Sequence, residues 1–421
     1  MKLLLYLLAF TPLAFSRVAV YPHISGKVMF IRGLVALAAA WFFLRLVLDK
    51  PFGQKMAERG KALARNPVFL AVFAYFFFLV LSAALAVDKF KAFFGTFERG
   101  EGAVGLLFFF GFFLFSVFLF DKKDWQWFFR LTLLAAVVIF VHTFIQFLRG
   151  AERPYSFLGN PIYLAAYFLF PIFAAGIVYF SPRNYFWRAA AIFTGLTSFL
   201  GIFIANSRGV IVGCVAGVLA SAGYLGFYIP RWRRPALFVL FFIVIFGGIF
   251  FASRNSGVWE NVPGLGRLAQ ISSADDAASA RLHNVKTALL VVNPAKEGFR
   301  KLLFGWGPEN YLIAANKYYD PTFYPISLNM EDRVHNQVLD ILVASGLFGV
   351  LAYLAVWFFV FRFILRAGRE PFWRLALLFF AVAYFIQSMF VFDSLSVSLA
   401  VYVFLGFAIA LQTTEEKYGA A

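Results

Sequence analysis

The chain has 421 residues, 62% of them hydrophobic and 14% charged, with a formal net charge of +17. Soluble domains average roughly 45–50% apolar and about 25% charged residues, so a soluble globular protein is excluded. The Lys and Arg excess sits mostly in short connectors between apolar runs, which makes it a topology signal rather than a nucleic-acid footprint.

Apolar runs of about 20 residues recur from end to end, the length that crosses a bilayer as an α-helix. Barrel strands alternate apolar and polar residues, and these runs do not. The expected fold class is therefore all-α, a polytopic transmembrane helical bundle of about twelve spans. The expected spans are 3–20, 28–48, 67–87, 103–120, 128–148, 162–180, 189–205, 210–229, 236–252, 335–361, 374–391 and 395–411. The first, in MKLLLYLLAFTPLAF, resembles a signal peptide but has no small-residue cleavage site close behind it, so it reads as an uncleaved span. Residues 1–252 thus hold nine spans, 253–334 form one long loop, and 335–421 hold three spans and a short tail.

Connectors on one side carry most of the cations, for example Lys50, Lys55, Arg59, Lys61 and Arg65, then Arg231, Arg233 and Arg234. The positive-inside rule puts that side and both termini in the cytoplasm, and the long loop outside. Connectors on the outer side carry fewer, among them Arg99, Arg149, Arg153 and Arg208. The loop contains Trp259, Trp306, Tyr311, Tyr318 and Tyr319, too many aromatics for a disordered tether. Ser272–Leu290 reads as a helix with an acidic first turn, and Leu302–Asn310 as a turn-rich segment around Gly305, Gly307 and Pro308.

The loop ends in EDRVHNQVLDILVASGLFG, Glu331–Gly349, where charged residues run straight into an apolar helix. His335 there is either a general base or a residue that caps the helix it begins. Asn336 either orients a sugar hydroxyl or is an interfacial polar residue. Arg208, in Asn206-Ser207-Arg208-Gly209 between two apolar runs, reads as an anion clamp; the alternative is a snorkelling arginine on lipid phosphates. Arg281 lies on the loop helix, where a solvated face is the plainer reading. Glu98 and Arg99 in FERGEG, and Asp393 at an outer span end, are weaker candidates for the same outer site, Asp393 as a partner for an arginine. The lone Cys214 excludes an intrachain disulfide, and the four histidines show no metal-ligand spacing. No Walker loop or dinucleotide fingerprint is present, so no cofactor is expected.

Asn-Ser-Arg-Gly at a span end, Ser-Ala-Arg in the long loop, Leu-Phe-Gly-Trp-Gly-Pro-Glu-Asn, and His-Asn with a later Gly-Leu-Phe-Gly follow one another in an order that resembles the O-antigen ligase/polymerase (Wzy_C, WaaL-like) family. The resemblance implies a GT-C-like membrane glycosyltransferase of the bacterial inner membrane with its active site facing the periplasm. It implies transfer of a glycan from an undecaprenyl-pyrophosphate carrier to an acceptor hydroxyl, without a metal and with inversion. Arg208 and Arg281 would contact the pyrophosphate, and His335 would activate the acceptor. The acceptor, which could be lipid A–core, a second glycan or a protein hydroxyl, stays open, so ligase, polymerase and protein O-oligosaccharyltransferase activities all stay open. A transporter or flippase of the lipid-linked glycan is the reading from another class. The bilayer, the lipid-linked glycan and the acceptor glycolipid are the expected partners, and nucleic acid is not.

Overall fold

A computed structural model describes residues 1–96, 98–181, 184–271, 276–321, 332–366 and 371–419. Glu331, Phe97 of the FERGEG segment and residues 272–275 of the expected acidic helix start lie outside that set. Among the described residues the regular elements are helices. Nine of these helices are long and apolar enough to cross a membrane, from Pro22–Leu48 to Leu395–Thr413, and they fall on nine of the expected spans. The expected spans at 3–20, 103–120 and 374–391 fall on shorter apolar helices, Lys2–Leu13, Ala103–Leu119 and Phe372–Gln387. The first is cut short because Pro12 sits in a tight helical segment and the chain turns extended at Ala14.

Local chemistry sets several helix starts. Asn-Pro pairs open three helices, Pro67–Ala84, Pro161–Tyr179 and Pro294–Glu297. In each, the asparagine side chain accepts a first-turn N–H, from Phe69 at 3.0 Å, Ile162 at 2.8 Å and Ala295 at 2.9 Å. Proline at the first position gives up an N–H that would have had no helical partner.

The chain divides into two compact units. One comprises Gln126–Ser273 and Ile364–Met389. Its helix Arg208–Tyr228 packs closely on Pro371–Gln387, because Gly213 and Gly217 present no side chain. A Cβ there would lie 2.5 Å from the Ala383 carbonyl and 2.7 Å from that of Phe379. Small residues four apart let helix backbones approach in a membrane. Helix Arg233–Ser253 differs, with Ala236 as its single buried residue, and so presents apolar side chains all round.

The other unit comprises Met1–Trp125, Ala274–Phe363 and Phe390–Ala421. Its organising feature is a broken membrane helix. Gln337–Leu365 is interrupted at Gly346, whose φ of 67° and ψ of −168° are non-helical. A break frees carbonyls that hydrocarbon cannot satisfy. The loop supplies the donors: Trp306 N–H reaches Val343 O at 2.8 Å and Gly307 N–H reaches Ala344 O at 2.9 Å. The Ser82 hydroxyl also donates to Ala344 O. Trp306 is buried, with its indole N–H on Val291 O at 2.7 Å. It joins Ala288, Val291, Tyr311, Ala314 and Val343 in a core that fixes the long loop to the first half of the broken helix.

A Gly346→Ala substitution would force a side chain into glycine-only backbone and against the Leu303 carbonyl and Phe304 amide. It is expected to cost at least about 2 kcal/mol, seen as a lowered melting temperature of the purified protein. Unchanged melting would contradict the break.

Candidate active site

The candidate site builds outward from Arg333, in the unit that holds the broken helix. Arg333 is nearly buried and meets three carboxylates. Its guanidinium donates to Glu101 at 2.9 Å, to Asp340 at 2.8 Å, and to Glu309. These acids come from three places. Glu101 precedes the helix Ala103–Leu119, Glu309 belongs to the Gly-Pro-Glu-Asn turn, and Asp340 lies in the first turn of Gln337–Leu365. The turn is anchored by Asn310, which is fully buried. Its side chain accepts Asp88 N–H at 2.9 Å and donates to Asp88 O at 3.1 Å. Glu309 is thereby held in the left-handed region, at φ 60°.

Burial, with the Glu309 charge adding to it, pushes the Glu101 carboxyl up to about 8 even though Arg333 opposes the rise. Glu101 therefore holds its proton to higher pH than a free carboxyl does. Asp332 behaves oppositely. Burial works against its ionisation, yet the two-pronged bond from Arg99, 2.7 Å on each side, holds it below the usual carboxylate range. The sign for stability follows. The folded state binds the Glu101 proton more tightly than the unfolded chain does, so that contribution is full at low pH and is lost as pH rises from about 4.5 to about 8. Melting temperature should fall across this window, and Glu101→Gln should flatten the fall. An equal slope in the variant would assign the effect elsewhere.

His335 sits between fixed points. Before it, Val334 N–H donates to Asp340 at 3.2 Å, while Arg333 is held in its cage. After it, Asn336 caps the helix, its side chain accepting Leu339 N–H at 3.1 Å and its carbonyl accepting Asp340 N–H at 2.8 Å. With both neighbours fixed, His335 takes a left-handed conformation, φ 56°. Such conformations in non-glycine residues collect at functional sites. Its ring lies 5.2 Å from Phe392. The same Phe392 carries the Arg99 guanidinium at 4.6 Å and that of Arg333 at 5.7 Å. A cavity of about 50 Å³ opens beside them, lined by Glu101, Arg333, Gln337, Asp340, Phe392 and Asp393 among others.

The expected site residues therefore distribute as follows. His335 and Arg99 gather on Phe392, and Asp393 lines the cavity, with its N–H donating to the Gln337 side chain at 3.0 Å. Asp332 grips Arg99 with both carboxylate oxygens. Asn336 serves as a helix cap. Glu98 is exposed on its turn. Arg281 is half-buried on helix Asp276–Val291, in line with the buried Asn284, Ala288 and Val291. Arg208 opens the helix Arg208–Tyr228 of the other unit. Sequence reasoning missed the Arg333 cage. Asp340, a charge within an apolar run, was the available signal.

Residues 193–354 match the Wzy_C family model, described as O-antigen ligase. The similarity to the O-antigen ligase family is confined to this stretch. It begins inside helix Tyr185–Ile204, takes in Arg208, Arg281 and His335, and ends in the second half of the broken helix. Arg99, Glu101 and Phe392 lie outside it. No curated protein matches the sequence. The O-antigen ligase family, to which this stretch is similar, consists of glycosyltransferase-type membrane enzymes, and the nine long apolar helices among the described residues fit a membrane protein.

Proposed function

We propose that the protein moves a glycan from an undecaprenyl-pyrophosphate carrier to an acceptor hydroxyl on the outer side of the inner membrane, with both termini in the cytoplasm. The observation that carries this reading is the family match, which spans Arg208, Arg281 and His335 in one stretch. The acceptor oxygen attacks the anomeric carbon, His335 takes its proton, and the bond to the diphosphate breaks with the electron pair leaving on phosphate oxygen. Attack opposite the leaving group inverts the anomeric carbon. Arg208 and Arg281 stabilise negative charge that grows on the diphosphate, which favours the transition state over the ground state. The activated donor brings the driving force, so the reaction needs neither nucleotide nor metal.

The test is transfer by purified protein from a labelled lipid-linked glycan to a panel of lipid A–core, glycan and peptide acceptors, with chelator present. Product on one acceptor class identifies the activity; no product on any would overturn the reading. Arg208→Ala and Arg281→Ala should each lower the rate by about 10²–10³-fold, as loss of a charge-stabilising donor does. Lysine at either position should restore little, because it lacks the planar fork that grips phosphate.

A further inference from the structure

In the unit that contains Arg208, two other arginines reach the same place from distant parts of the chain. Arg267, on the short helix Leu265–Ala269, donates from Nη1 to the Asn206 carbonyl at 3.2 Å, next to Ser207 and Arg208. Its segment is seated by Gly264, packed against Ile211 and Phe203 of the helices on either side of Arg208. Arg153 comes from the connector after helix Lys122–Leu148. That connector is built rather than loose. The Gln146 side chain accepts Tyr155 N–H at 3.1 Å and Ser156 N–H at 2.8 Å, and Ser156 is held left-handed beside His142 at 3.0 Å.

Burial, then the charges of Arg267 and Arg208, lower the Arg153 pKa. Its Nε is buried without a hydrogen-bond partner among the described residues. Three like charges drawn together repel, and an anion among them reverses the sign of that interaction. The helix Arg208–Tyr228 points its N-terminal end here with no side-chain cap. First-turn N–H groups at a helix N-terminus favour negative charge.

We propose that Arg153 and Arg267 join Arg208 as one binding site for a phosphate-class anion, completed by the first turn of helix Arg208–Tyr228. The ligand chemistry is a phosphate monoester or diphosphate attached to a lipid. The transferase reading supplies its source, the diphosphate of the carrier, and the inference rests on that reading for the source alone. Arg153 and Arg267 hold the anion at rest, so their loss appears in binding of donor before it appears in turnover.

The test uses full-length protein in nanodiscs. Binding of undecaprenyl pyrophosphate without sugar is measured for wild type, Arg153→Gln, Arg267→Gln and, as a control, the exposed Arg149→Gln. The first two should each raise Kd about tenfold, the loss of one charged hydrogen-bonding partner, while Arg149→Gln leaves it unchanged. Inorganic pyrophosphate should compete in wild type. If carrier binding stays constant but the two variants lose affinity for phosphatidylglycerol in the disc, the anion site stands and its ligand is a headgroup. If both affinities stay at wild-type values in folded variants, the proposal is overturned. Should Arg267→Gln fail to fold for want of its Asn206 bond, Arg153→Gln decides alone. Arginine-dependent carrier binding without any glycan transfer would keep this site and remove the transferase.

Discussion

A His335→Asn variant is expected to fold like wild type and to lose glycan transfer by about 10²–10⁴-fold, the usual contribution of a positioned general base. Asparagine is the informative replacement because it tolerates the left-handed backbone that His335 adopts at φ 56°. It keeps the conformation and removes the imidazole. Alanine would remove both the base and part of the conformational preference, so its loss of activity would be harder to assign. The check is the transfer rate measured beside the melting temperature. Near wild-type transfer in His335→Asn would mean that His335 shapes the turn before the broken helix and moves no proton.

The largest stability effect is expected at Arg333. Arg333→Met keeps an apolar side chain of similar length but leaves Glu101, Glu309 and Asp340 together without their cation. Removing one partner of a buried ion pair costs about 3–5 kcal/mol, because the remaining charge stays desolvated. Lysine should recover only part, since one ammonium cannot present the fork that serves Asp340 on one nitrogen and both glutamates on the other. The loss should shrink at acid pH, where the orphaned carboxyls take up protons. Melting temperature against pH reads all of this, and a variant as stable as wild type at neutral pH would show that the cage contributes nothing. Transfer should fall as well, because the cage fixes the backbone just before His335.

Much of this was legible in the sequence, and the boundary has a physical basis. Hydropathy located the helices because a span must be apolar over its whole length, and residue type alone reports that. Ala344, Ser345 and Gly346 are small residues within a bulky run, yet the break at Gly346 depends on Trp306 and Gly307 donating to freed carbonyls from the loop. No local pattern reports a pairing across that separation. The cage was invisible for the same reason: Glu101, Glu309 and Asp340 are far apart in the chain and meet only on Arg333. The motif order directed attention to His335, one turn from the cage, and Gly-Pro-Glu-Asn contains Glu309. Asn336, read from the sequence as orienting a sugar hydroxyl or as an interfacial polar residue, caps the helix through its side-chain oxygen, which residue type alone does not report.

The most direct measurement is the ratio of undecaprenyl pyrophosphate released to acceptor glycosylated, followed in vesicles with purified protein. One carrier freed for each glycan attached, with the anomeric configuration inverted, is the result expected of a transferase. Intact carrier crossing the bilayer with its glycan still attached, and no free undecaprenyl pyrophosphate, would contradict it.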